Sequence, residues 1–167
     1  IYKSSFGEGS PAYAKSISDL GNFYRYKGRN AEAEPLLDKA LSIREKMLGL
    51  NHPHYVQSQE DLAILYWKKK DMDKAYTAYR KVMDKSIDFI NHYFPPMSEA
   101  EKTKYWDVLS PRFQRFYNFA IEASATNTAV LQDLYDYQMA TKALLLSSTN
   151  KIKRNILASG NKELIKD

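Results

Sequence analysis

The 167-residue chain carries 25 basic and 20 acidic residues, a formal charge of +5, and is 44% hydrophobic, the balance of one globular domain or a short repeat array. Cysteine is absent, which excludes disulfides, thiolate metal sites, iron–sulfur clusters and a cysteine nucleophile within these residues. No apolar run reaches the roughly 18 residues of a membrane-spanning helix, and six glycines with six prolines are too few to punctuate many short strands, so an all-α fold of long helices is expected.

In chain order, residues 1–10 read as the end of a helix whose beginning lies upstream. The reason is an internal repeat. Ser10-Pro11-Ala12-Tyr13 aligns with His52-Pro53-His54-Tyr55, and the same 42-residue offset pairs Asp19-Leu20 with Asp61-Leu62, Tyr24 with Tyr66, Ala33 with Ala75 and Lys39 with Lys81. Run backwards, it pairs Ile1 with Ile43, Phe6 with Leu48 and Gly7 with Gly49. A longer array is therefore expected, with the chain starting inside the second helix of an earlier unit.

The first full unit, about residues 11–52, reads as two helices. Ile17, Leu20, Gly21 and Tyr24 recur on one helical stripe. Gly28-Arg29-Asn30 breaks it, with Asn30 as the expected cap of the next helix. Ala33, Leu36, Leu37, Ala40 and Ile43 form the second stripe, which runs to Leu48. Pro35 lies within it and predicts a bend or a late start. Gly49 to His52 form the turn, and Pro53 opens the second unit at a position where a missing N–H costs little. That unit, about residues 53–94, reads as helices over 53–70 and 72–93. Gln59 replaces an apolar residue of the first unit and predicts weaker packing there. Small residues at Gly21, Ala33, Ala40, Ala63 and Ala75 allow close helix approach, with Tyr24 and Tyr66 filling the space between units.

The pattern Leu20-Gly21-x-x-Tyr24 with Gly28, then Ala33, Leu37 and Ala40, and in the second unit Leu62-Ala63-x-x-Tyr66, then Ala75, Tyr79 and Val82, resembles the tetratricopeptide repeat family, in particular its 42-residue variety found in kinesin light chains. Lys70 stands for the usual glycine and Val82 for the usual alanine. The resemblance covers residues 1 to about 94. It implies a right-handed solenoid whose first helices line a concave groove for a protein or peptide. Carried over position by position, the groove residues are Lys15, Ser18, Asn22, Arg25 and Tyr26 in the first unit, and Gln57, Glu60, Ile64, Trp67 and Lys68 in the second. The family's two-lysine clamp for a terminal carboxylate is not reproduced, since Ser18, Gln57 and Asp61 occupy the positions concerned.

The repeat stops near Pro95-Pro96, and residues 95–167 form an aromatic-rich helical extension. Ser98 with Glu99 and Glu101 predicts a capped helix start. Ser110-Pro111 predicts a kink or break, after which Phe113, Phe116, Tyr117, Ala120 and Ile121 make a new stripe. Asn127 or Thr128 starts a helix through Leu131, Leu134, Tyr135, Met139, Leu144 and Leu145 to about Ser148. A short basic helix over 150–158 follows, closed by Gly160, and residues 161–167 begin one more element. The segment Glu101-Lys-Thr-Lys-Tyr-Trp, Pro111-x-Phe, Phe116-Tyr-Asn-Phe-Ala120, together with Lys142 to Gly160, resembles the stretch that follows the repeats in bacterial proteins ending in a caspase-like CHAT domain. That resemblance implies a peptidase-like domain beyond Asp167 in a longer protein.

Catalytic constellations are lacking. No phosphate-cradling glycine loop, nucleophile elbow or dinucleotide fingerprint occurs. His52, His54 and His92 are the only histidines, and His52-Pro53-His54 has no third ligand at a suitable spacing, so a turn role is expected rather than a metal. The basic residues of 141–167 (Lys142, Lys151, Lys153, Arg154, Lys162 and Lys166) lack interleaved aromatics, which disfavours nucleic acid. The expectation is a protein-interaction scaffold without catalytic, metal or cofactor residues. The alternative is a regulatory, substrate-recruiting arm of a caspase-like cysteine peptidase.

Overall fold

A computed structural model describes Gly7 and residues 9–142. The described elements are α1 (Pro11–Tyr26), α2 (Asn30–Leu48), α3 (Pro53–Lys68), α4 (Met72–Tyr93), α5 (Glu99–Ala123) and α6 (129–142); among the described residues there is no strand. The helices expected over 150–158 and from 161 lie outside the described residues.

Both proline starts work as the repeat predicts. Ser10 Oγ accepts from Tyr13 N–H at 3.1 Å at the head of α1, and His52 Nδ1 accepts from His54 N–H at 3.1 Å at the head of α3. Each prolyl nitrogen thus falls where no helical donor is needed. At the start of α2 the cap is not Asn30, which is already helical. Arg29 precedes the helix without a side-chain cap, because its guanidinium stacks 4.5 Å from the Tyr24 ring and pairs with Glu32. Asn30 Oδ1 is left buried and unpartnered. The third start follows the sequence: Ser98 and Glu101 form a reciprocal capping box at the head of α5.

Both internal prolines are absorbed. α2 starts on time despite Pro35, and α5 runs unbroken through Pro111. Pro35 and Pro111 are exposed, as are Ala31 and Asp107 four residues before them, so the carbonyls released from the helix ladder face water. On the inner face of α5, Leu109, Phe113, Phe116, Ala120 and Ala123 are all buried, and that packing holds the helix together across the proline.

Within the first hairpin, Ala14 and Ile17 of α1 meet Ala40 and Ile43 of α2. Gly21 lets the helices touch: a Cβ there would lie 2.9 Å from Leu37 Cγ and Cδ2. Between the hairpins, Ala33 and Leu37 pack on Leu62 and Leu65, with Tyr24 and Tyr66 at the edge. The second hairpin is looser where expected. Gln59 and Lys85 stand in for Ile17 and Ile43, and together with Leu50, Tyr55, Val56, Lys81 and Asp84 they line a cavity of about 330 Å³. α3 ends two residues earlier than expected, and Lys70 takes the left-handed conformation (φ 62°) that Gly28 takes in the first unit (φ 75°).

Among the described residues, the largest core joins the second hairpin to α5 and α6. Tyr79 of α4 sits fully buried against Phe116 and Phe119 of α5, with ring centroids 5.9 and 4.8 Å away. α6 folds back onto α4: Tyr76 Oη donates to Asp133 at 2.7 Å, Arg80 pairs with Asp133 at 3.0 Å, and Tyr137 Oη donates to Asp84 at 2.5 Å. Several apolar residues placed on helix stripes by sequence are not core: Leu20, Ile121, Leu131, Tyr135 and Met139 are exposed among the described residues.

Candidate functional site

The candidate site is the wall formed by the first helices. α1 and α3 are joined by a buried polar cluster. Ser18 Oγ donates to Asp61 Oδ2 at 3.3 Å, and Gln57 Nε2 donates to Asp61 Oδ1 at 3.2 Å. Burial pushes the Asp61 carboxyl above its ordinary range, against the opposing pull of Asn22, Gln57, Arg25 and Ser18. α2 joins α3 from behind, where Arg44 Nη1 donates to Ser58 Oγ at 2.6 Å and burial pulls its guanidinium below its usual value.

α5 then takes the place beside α3 that α3 takes beside α1. Glu60, the 42-residue counterpart of Ser18, is completely buried and receives two guanidinium groups from α5. Arg112 Nε donates to Oε2 at 2.8 Å, and Arg115 donates to Oε1 through Nε at 2.7 Å and Nη2 at 2.6 Å. Ser86, the counterpart of Arg44, bonds Arg112 at 3.2 Å. At the far end of α3, Trp67 packs edge-on against Phe119 with centroids 5.8 Å apart, and its Nε1 donates to Glu122 at 2.9 Å; Lys70 pairs with the same carboxylate at 2.5 Å. Lys70 and the Trp67 indole hold the Glu122 carboxyl below its usual range. Lys69 is bonded to Glu34.

Residues 1–85 match the profile of the tetratricopeptide repeat family. The chain belongs to that family. Repeats of this kind mediate protein–protein interaction. A comparison with curated proteins finds no match.

With the tetratricopeptide units placed, the ten residues carried over as groove positions divide into three groups. Lys15, Asn22, Arg25, Tyr26 and Lys68 retain exposed or half-exposed side chains; Tyr26 is 84% exposed. Lys15 pairs with Asp19 at 2.8 Å, while Arg25 is bonded to the neutral amide oxygen of Asn22 at 2.9 Å. Gln57, Ile64 and Trp67 are half-buried at the junction with α5 and the aromatic core. Ser18 and Glu60 are not groove residues: each is sealed under the next first helix by its bond to Asp61 or to the arginines. Arg112, Arg115, Phe119 and Glu122 belong to the wall and fall outside the matched residues.

The His52 and His54 rings lie tilted with centroids 5.2 Å apart, and His52 Nδ1 is taken up by its capping bond. Burial, with Arg44 and His52 close by, holds the His54 imidazole below its ordinary value. Among the described residues, no cluster of three or more histidine or carboxylate groups is placed to hold a metal, and no helix is long and apolar enough to cross a membrane.

Proposed function

We propose that the chain is a protein-interaction scaffold whose wall of α1, α3 and α5 binds a polypeptide and has no chemistry of its own. The observation that supports this reading most is that Arg25 and Tyr26, residue types suited to anchoring a partner, keep half-exposed and exposed side chains at the end of α1, with the exposed Lys68 at the end of the adjacent first helix. The carboxylates between those helices, Glu60 and Asp61, are consumed internally. Membership of the tetratricopeptide family supports a protein partner. The test is capture by the wild-type chain compared with the double variant R25A/Y26A and with K46A, a change on the second helix of the first unit. Loss of a captured partner with R25A/Y26A and retention with K46A is the expected result. Equal capture by all three proteins refutes the wall assignment. Trp67 is unsuited to this comparison, because its removal also undermines α5.

A second reading is that this wall recruits a substrate or activator to a caspase-like CHAT domain in a longer protein. It is supported by the resemblance over residues 98–167, part of which forms α5 and α6 packed directly on the second unit. Such packing suits a rigid link between repeats and a following domain. A downstream histidine and cysteine in an α/β pattern is the expected finding in the full reading frame; a stop codon soon after Asp167 refutes this reading.

A further inference from the structure

The two repeat units open on the same extended backbone turn followed by proline, but they cap the helix with different acceptors. At the head of α1 the acceptor is the Ser10 hydroxyl, which takes Tyr13 N–H at 3.1 Å and itself donates to Gly7 O at 3.1 Å. At the head of α3, 42 residues on, it is the His52 imidazole, whose Nδ1 takes His54 N–H at 3.1 Å. A hydroxyl accepts across the whole physiological pH range, whereas a ring nitrogen accepts only while it carries no proton.

His52 lies in the turn that links the units. Three other bonds hold this turn: His52 N–H donates to Gly49 O at 3.3 Å, Lys85 Nζ to Asn51 Oδ1 at 2.8 Å, and Arg44 Nη1 to His54 O at 3.3 Å. None of the three titrates between pH 5 and 8, but an imidazole does. Charged groups approach from every packed helix. α1 brings Lys15, paired with Asp19, and α2 brings Arg44. α3 has His54 itself and Asp61, which is held by Ser18 and Gln57. α4 brings Lys85, with Asp88 and His92 lining a cavity beside Asn51. Among the described residues, neither His52 nor His54 has a carboxylate partner. A proton on His52 Nδ1 therefore replaces the acceptor by a donor that faces His54 N–H. It also adds positive charge at the positive end of the α3 dipole, with Arg44 and Lys15 nearby.

We infer that His52 is a pH-sensitive latch on the turn between the two units: neutral, it caps α3, and protonated, it releases His54 N–H and loosens the first turn of that helix. The start of the first unit, capped by Ser10, has no such response. The latch does not depend on what the wall binds. His52 is half-exposed, so its charged ring can swing into water. The loss is therefore bounded by that of one helix cap, roughly fivefold in the folding equilibrium constant.

Urea unfolding of the whole chain at about pH 7.5 and about pH 5 tests this with two variants. H52S carries the first unit's cap, and H52A has none. Between the two pH values the folding constant of the wild type should fall roughly fivefold relative to H52S, while H52A and H52S keep a constant ratio. Asp61, His54 and His92 titrate in all three proteins and cancel in these ratios. Amide NMR reads the bond itself: the wild-type His54 N–H resonance should titrate together with the His52 ring, and that of Tyr13 should not respond. A wild-type ratio to H52S that is the same at both pH values overturns the inference. So does a His54 N–H that stays fixed while the His52 ring gains its proton, or an H52A ratio that shifts as much as the wild type.

Discussion

Removing the Glu60 carboxylate should detach α5 from the second hairpin, and the cost follows from where the two arginines sit. Glu60 is 0% exposed, the Arg112 side chain 13% and the Arg115 side chain 42%. In E60A, Arg115 can swing its guanidinium into water, so its share of the loss is that of a surface pair, under about 1 kcal/mol. Arg112 cannot follow. It keeps only Ser86 Oγ and the long contact to Gln57 Oε1 at 3.5 Å, which leaves a buried cation without a counter-charge. Breaking a buried pair from one side costs about 3–5 kcal/mol, so E60A should lose about 3–4 kcal/mol. With a urea slope of about 2 kcal/mol/M, the unfolding midpoint drops by roughly 1.5–2 M. Trp67 and Trp106 pack on Phe119 and Phe113 of α5, so their fluorescence follows this helix directly. R115A should cost less than about 1 kcal/mol, and replacing the buried pair by apolar residues, E60M/R112L, should recover most of the E60A loss. An E60A midpoint within error of wild type, or an R115A loss equal to that of R112A, would refute the reasoning.

Three further changes test separate features, each read from urea midpoints. K70G relieves a left-handed backbone that costs a non-glycine residue about 1–2 kcal/mol and gives up the exposed pair with Glu122, so it should stabilise the protein by about 0.5–1 kcal/mol. Tyr79→Phe deletes a buried hydroxyl that has no partner and should be neutral or stabilising by up to about 1 kcal/mol, whereas a loss of that size would show that the hydroxyl is satisfied. Asp61→Asn probes pH. Burial raises the folded carboxyl above its unfolded value of about 3.9, so the wild-type contribution is fully present below that pH and is lost as pH rises through the folded value. The asparagine variant should therefore gain on wild type between about pH 4 and pH 7; a pH-independent difference, or one of opposite sign, would rule out that cause.

The 42-residue offset made both hairpins legible, because the proline starts, the glycine approach at Gly21 and the leucine contact between units all recur with it. Pro111 misled because a breaker is a local signal. The apolar positions Leu109, Phe113, Phe116, Ala120 and Ala123 keep one helical phase across it, and that continuity pointed to a single helix. Ser18 and Glu60 misled for a different reason. Their positions were assigned from the units alone, and what buries Glu60 arrives from a helix that the repeat register does not reach. The signal was Arg112 and Arg115, two cations three residues apart beside an aromatic stripe, a pattern that suits a carboxylate on the helix they cover. Lys70 was legible as a departure from glycine, but not the Glu122 pairing that accompanies its backbone.

The two internal joints are built to different strengths. The first packs Ala33, Leu37, Leu62 and Leu65 and adds the Ser18–Asp61, Arg44–Ser58 and Lys69–Glu34 bonds, whereas the second has the larger apolar core, with the Tyr79–Phe116–Phe119 rings, the doubly bound Glu60 and the Trp67–Glu122–Lys70 fastening. In a stack where each unit touches only its neighbours, the weaker seam opens at the lower free energy. Amide protons of α1 and α2 should therefore exchange with solvent before those of α4 and α5. The hairpin that carries Arg25 and Tyr26 would then open before the aromatic core that anchors the second one.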